Sequence, residues 1–272
     1  MKQFVSRHGV ACLCLAFLAV LVLAAAFAPL LTSVDPLSMS PTERMKPPSA
    51  AHWFGTDSYG RDVFVRTLYG GRVSLLVGIS VTVLATVAGT LIGLVSGYLP
   101  LLDKILMRVM DGIMSIPGVV LAVALMALFK ADIITVVIAI AIPEIPRVAR
   151  LVRSSVKSIK EQEFIQAALV SGSTLGRVLF RHVLPNAAGP LAVQATFVCA
   201  SAILLEAYLS FLGVGLPQEI PTWGNIMSGG RVSVQIAFWS LFYPGVVLAL
   251  TILSVNILGD AIRDAYDPRA KK

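Results

Sequence analysis

Side chains able to do chemistry are sparse in this 272-residue sequence, and their spacing limits what they can do. The three His residues, His8, His52 and His182, fall in separate segments, and no H-E-x-x-H occurs, so an intramembrane zinc peptidase finds no support. No G-x-x-x-x-G-K-S/T is present, and the dipeptide Gly-Lys occurs nowhere, so nucleotide binding through a P-loop is excluded. The most unusual ionisable group is Glu206, about 18 Å along an apolar run that starts at Gln194, at 1.5 Å rise per residue. Cys199, Ala202, Glu206 and Ser210 recur at helical spacing and form one small or polar stripe. An acidic residue at mid-span costs about 2.5 to 3.5 kcal/mol, so Glu206 must face a bundle interior or a water-filled path. Two uses stay open: contact with a solute along Glu206, Ser210 and Cys199, or a hydrogen bond between helices.

The second polar cluster is EFIQAALVSGSTLGRVLFRHVLPN, residues 163 to 186. Its pattern predicts a helical hairpin. A first helix runs from about Ser154 to Ser171 and ends at Gly172, the residue best able to take a left-handed cap. Ser173 or Thr174 then caps a second helix whose Leu175, Val178, Leu179, His182 and Val183 share one face, with Arg177 and Arg181 on another, and Pro185 stops it. Such a hairpin is apolar toward a membrane domain and polar toward something soluble.

The elements around these clusters are built for lipid. The chain is 57% hydrophobic and 14% charged, against about 25% charged for a soluble domain. Six apolar runs approach membrane-spanning length: Ala11–Leu31, Ser74–Leu99, Gly112–Phe129, Ile133–Ala149, Gln194–Leu212 and Ala237–Leu258. The fourth is the weakest, because Pro143 and Pro146 flank Glu144 inside it. The first run imitates a signal peptide, with Lys2 and Arg7 before it and Ala26-Phe27-Ala28 near its end. Its length and Pro29 argue for an uncleaved span. The fold class is therefore an all-α polytopic membrane protein. Its parts are an N-terminal span with an extracytoplasmic segment (1–72), a transmembrane core with the hairpin loop at about 154–186 (73–263) and a short tail (264–272).

Six spans place both termini on one side. With the N-terminus inside, fifteen Lys and Arg fall inside and seven outside, so the positive-inside rule supports cytoplasmic termini. The +7 net charge thus reflects orientation, and nucleic-acid binding is not indicated. Cys12, Cys14 and Cys199 lie within apolar runs and read as small filler. Gly89, Gly93 and Gly97 form a ridge at i, i+4, i+8 that would admit a close helix, although membrane helices are also glycine-rich in general. In the outside segment, Asp57 is expected to cap a short amphipathic helix bearing Val63, Phe64 and Leu68. Near the inside surface, Asp103, Arg108 and Asp111 read as an intrahelical charge set, with Arg108 and Asp111 at i, i+3.

The run QAALVSGSTLGRVLFRHVLP resembles the EAA signature of ABC importer permeases, with Gln166-Ala167-Ala168, then Gly172, then Leu184-Pro185. FGTDSYGRDVFVR (54–66), LLEAYLSFLGVGLPQEIPTWG (204–224) and LGDAIRDAYDPR (258–269) are similar to the dipeptide, oligopeptide and nickel branch of that family. Gln166 departs from the signature Glu, and Ile145 stands where many members have Trp; neither changes the class. The resemblance implies a type I ABC importer permease fold in the bacterial inner membrane, with residues 163 to 186 forming the loop that couples to an ATPase. Glu163, Gln166, Ala167, Ala168, Gly172, Leu184 and Pro185 are the coupling residues it implies. It further implies a second permease as heterodimer partner, two ATPase subunits and an extracytoplasmic solute-binding protein. This chain would bind no cofactor, with ATP and Mg held by the ATPases. Di- or oligopeptides are the expected cargo, with nickel or another small solute as the alternative. A passive channel is the rival class, since similar spans would serve it without a docking hairpin.

Overall fold

The computed structural model describes residues 9–266, apart from the side chains of Leu169 and Leu175. Lys2, Arg7, Arg269, Lys271 and Lys272 of the charge count, and most of the 264–272 tail, lie outside the described residues. The main helices are α1 (Gly9–Ala26), α2 (Val63–Tyr98), α3 (Pro100–Met114), α4 (Gly118–Leu128), α5 (Ile133–Lys160), α6 (Glu163–Val170), α7 (Leu175–Val178), α8 (Leu184–Phe211), α9 (Trp223–Arg231) and α10 (Trp239–Tyr266). The β content among the described residues is one isolated bridge, Thr56 to Asp62.

Among these residues, α1, α2, the stretch Gly176–Phe211 and α10 are long and apolar enough to cross a bilayer. A fifth crossing results if α3 and α4, bent by 87°, count as one broken span. The third expected span, Gly112–Phe129, is therefore not a continuous helix. Pro117 disfavours helical backbone at Ile116 and supplies no N–H, so the chain breaks over Ser115–Pro117 and restarts at Gly118. Pro143 and Pro146 act differently, because α5 runs through both and continues to Lys160. Ser154–Lys160 thus belongs to α5, and the first hairpin helix is only Glu163–Val170.

Two N-terminal expectations also change. Asp57 does not cap a helix: its Oδ1 accepts from the N–H groups of Tyr59 and Arg61, and its Oδ2 accepts from Arg61 Nε at 2.7 Å, closing a turn. Asp62 is the cap, accepting from Val65 N at 2.9 Å, so Val63, Phe64 and Leu68 open the long α2 and form no separate helix. The preceding segment is held by Phe54 stacked on Tyr243 of α10 at 4.4 Å, and by Trp239 Nε1 donating to the Thr56 carbonyl at 3.0 Å.

The core forms along α2 and α5, where Val77, Val81, Val136, Ile140, Val148, Val152 and Val156 are buried, with Val198 and Ala202 of α8 beside them. The glycine ridge sets the spacing. A Cβ on Gly89, Gly93 or Gly97 would lie 2.6 Å from the Cβ of Val148, Val152 or Val156 respectively, closer than real side chains approach. Three successive turns of α2 thus admit α5 because they carry no side chain. Past the ridge, Arg153 and Lys157 of α5 bond Asp103 of α3 at 2.5 and 2.9 Å, and Arg150 bonds Asp111 at 2.6 Å. The acids of α3, Asp103 and Asp111, are therefore paired across helices and not with Arg108 within α3, because α5 presents a basic row at i, i+3, i+7 to two acids eight residues apart.

Candidate functional site

The hairpin of residues 163 to 186 begins where α5 ends. Gln166 Nε2 donates to the carbonyl of Lys160, the last residue of α5, at 3.0 Å, a bond a glutamate could not make while ionised. After α6 the chain turns through Gly172 at φ +80°, and Ser173 N donates back to Ala168 O at 3.0 Å, the six-to-one bond of a Schellman turn. The left-handed glycine expected at this position is present. α7 does not stop at Pro185. It widens into a π-turn over Leu179–Val183, Leu184 N bonds Leu179 O, and α8 continues with Pro185 in its first turn. The wider turn accommodates a residue that has no N–H to give, so the second hairpin arm and the following span are one element.

This geometry sorts the hairpin into two faces. Ile165, Val178 and Val183 are fully buried, with Leu179 and His182 half-buried, and the Phe164 and His182 rings meet edge-on across the two arms at 6.3 Å. Glu163, Gln166, Ala167, Gly172, Arg177, Arg181 and Pro185 are exposed, while Ala168 and Leu184 are half-buried. A Cβ on Gly172 would meet nothing within 4 Å. Phe164, Phe180 and Val170 are exposed too, Val170 to 90%. Sequence pattern overlooked these three, although each is an apolar residue off the inward-facing set, the signal that could have found them.

At the root of the hairpin, Asp103 precedes the expected third span. Hydrogen bonding from Arg153, helped by Lys157 and opposed by burial, holds its carboxyl well below the usual range, at about 2.

Glu206 forms a second polar centre. It is fully buried; Oε2 accepts from Ser74 Oγ of α2 and Oε1 from Ser210 Oγ, each at 2.8 Å. Trp223 N, opening α9, donates to the same Ser74 Oγ at 3.4 Å, and Trp223 Nε1 donates to the Thr67 carbonyl at 3.0 Å. Glu206 thus joins α8 to α2 through Oε2, Ser210 of the same helix satisfies Oε1, and Ser74 carries the link on to α9. Ser210 belongs to this group. Cys199 does not: it is half-buried two turns away, its backbone against Gly78. Of the two readings left open for Glu206, this geometry performs the interhelical bond.

Comparison with known proteins agrees with this architecture. Residues 85–272 match the family model of the binding-protein-dependent transport system inner membrane component. Residues 3–48 match the N-terminal TM domain of oligopeptide transport permease C. The chain is 52% identical to a probable peptide ABC transporter permease protein, y4tQ, of Sinorhizobium fredii, over 89% of this chain and 83% of that one. It is 43% identical to the dipeptide transport system permease protein DppC of Alkalihalophilus pseudofirmus, over 92% and 83%. Identity to the oligopeptide transport system permease protein OppC of Bacillus subtilis is 36%, over 95% and 85%. In fold it is similar to the inward-facing MetNI methionine ABC transporter, with a TM-score of 0.54 and 18% identity over 71% of this chain and 94% of that one. A helical membrane core with no P-loop, a polar hairpin between two of its apolar helices and these matches together place the chain in the family of binding-protein-dependent transport system inner membrane components.

Proposed function

We propose that this chain is one transmembrane half of an ATP-driven peptide importer, moving di- or oligopeptides across the bacterial inner membrane by alternating access. The single observation that carries the reading is the hairpin. Its buried face is anchored to α5 and α8, while its outer face offers Phe164, Val170 and Phe180 beside Arg177 and Arg181 to a soluble partner. A channel would gain nothing from that face. In the proposed assembly a second permease completes the pathway, two ATPases bind ATP and Mg against the hairpins, and an extracytoplasmic binding protein delivers the solute. Peptide cargo is supported by the relatives at 36 to 52% identity, which are named as peptide, dipeptide and oligopeptide permeases.

The proposed topology has six spans, with Gly112–Phe129, interrupted over Ser115–Pro117, as the third, α5 the fourth and both termini cytoplasmic. A reporter active only outside the cytoplasm should be silent after Ser173 and active after Ser49; the reverse pattern contradicts this orientation. For function, proteoliposomes carrying the whole complex should accumulate a dipeptide only with ATP and the binding protein. Solute flux through this chain alone would establish a channel, and ATP-driven uptake of nickel without peptide would reassign the cargo.

A further inference from the structure

A cavity of about 410 Å³ opens where α3 breaks from α4, and Glu144 of α5 lies in its wall. That volume falls within the range of small-molecule sites, about 300 to 1,000 Å³. Its lining includes Pro117, Gly118, Pro143, Arg147 and Leu204, with Ser201 facing from α8. Glu144 is 2% exposed and sits about 16 Å along α5 from Ile133, roughly two thirds of the way through the expected span. Its Oε1 accepts from Ser201 Oγ at 2.8 Å, and Arg147 Nη1 lies 3.2 Å from both carboxylate oxygens.

The contrast with Glu206 is instructive. Both oxygens of Glu206 are met by hydroxyl groups, Ser74 across on α2 and Ser210 on its own helix. Glu144 spends its charge on Arg147, three residues along the same helix, whose side chain is 56% exposed and whose Nε and Nη2 have no partner among the described residues. The Ser201 bond already ties α5 to α8, so the intrahelical ion pair adds no further link between helices, yet placing its charges inside a membrane span is costly. Opposite the pair, α4 begins at Gly118 without a side-chain cap, so its first N–H groups precede any helical acceptor. A broken span beside a cavity within the membrane domain is an arrangement in which transporters hold charged solutes.

We infer that this cavity is a solute subsite for zwitterions: the ammonium of a peptide displaces Arg147 from Glu144, and the peptide carboxylate takes the freed guanidinium and the N–H groups opening α4. This inference rests on the peptide-permease reading above. Exchange of one ion pair for two leaves no charge unpaired in the cavity, and release restores the resting pair.

The test uses the whole transporter in proteoliposomes, with Cys12, Cys14 and Cys199 replaced by Ser and Ser201→Cys added. A trimethylammonium methanethiosulfonate and its sulfonate counterpart should label position 201 in a rate ratio that Glu144→Gln lowers about tenfold, because the substitution leaves Arg147 as the unbalanced charge of the pair. Dialanine should slow the labelling by both reagents. Leu204→Cys, a cavity position that makes no bond to Glu144, should repeat the pattern. In the unmodified background, Glu144→Gln should lower dialanine uptake by about tenfold, the loss of one charged hydrogen bond, while the complex still assembles and hydrolyses ATP. A rate ratio unchanged by Glu144→Gln at both positions, with no protection by dialanine, in a complex that still transports dialanine, would overturn the subsite and leave the function standing. Failure of the unsubstituted complex to transport any peptide would overturn the function instead, whatever the labelling shows.

Discussion

The seam between α2 and α5 and the hairpin that follows α5 lie on one continuous run of chain, yet they treat volume in opposite ways. In the seam, a Cβ on Gly89, Gly93 or Gly97 would stand 2.6 Å from a valine Cβ. At the hairpin tip, a Cβ on Gly172 would meet nothing within 4 Å. One glycine set exists because a neighbour is already there, the other because the backbone must turn left-handed in open space. Tight packing suits an element that transmits a displacement, and open space suits one that receives a partner.

The largest effect that could break this comparison is in the seam. Gly93→Leu should destabilise the protein by about 3 kcal/mol, the upper end for overpacking a close contact, read as a fall in Tm of the purified complex. Pairing Gly93→Ala with Val152→Ala should recover part of the smaller loss caused by Gly93→Ala alone; no recovery would show that the ridge is not held by that contact.

A smaller, pH-dependent effect is expected where the seam ends. Asp103 ionises ordinarily near 3.8 and here at about 2. Its folded value is depressed, so its contribution is present above the ordinary value and lost as pH falls from about 4 toward 2. The Tm difference between the unsubstituted protein and Asp103→Asn should be constant above about pH 5 and shrink below pH 4. A constant difference down to pH 3 would mean that the carboxylate charge is not what binds α3 to α5.

The smallest effect belongs to Gln166. Gln166→Glu removes the donor to the Lys160 carbonyl, a loss of about 1 kcal/mol confined to α6. Hydrogen exchange across 163–170 should quicken while Tm is unchanged. Unaltered exchange would show that this bond does not hold the hairpin to α5.

Much of this organisation was legible in the sequence. The apolar runs, the glycine ridge, the left-handed Gly172 and the inward set of Val178 and Val183 each follow from local spacing. The prolines were not legible, because the same ring has different consequences in different surroundings. Pro117 breaks a span, Pro143 and Pro146 ride inside a continuous helix, and Pro185 follows a π-turn. Polar partners distant in sequence were equally hidden. Asp103 meets Arg153 across fifty residues and Glu206 meets Ser74 across 132, and no spacing rule reaches that far. Glu144 was visible as a charge between prolines, but the cavity beside it exists only once Pro117 has broken the span.

The central claim is that the outer face of the hairpin exists to receive the ATPases. Its most direct test is co-purification of the ATPases together with solute-stimulated ATP hydrolysis in complexes carrying Ala167→Asp or Gly172→Trp. Both positions are exposed, so Tm and pairing with the second permease should change little beyond the roughly 1 to 2 kcal/mol of left-handed strain at position 172. The account predicts that transport is abolished in both variants because the ATPases dissociate or hydrolyse ATP without responding to solute. Normal co-purification, normal stimulated hydrolysis and normal transport in both would show that the hairpin is only a surface loop, contradicting the account.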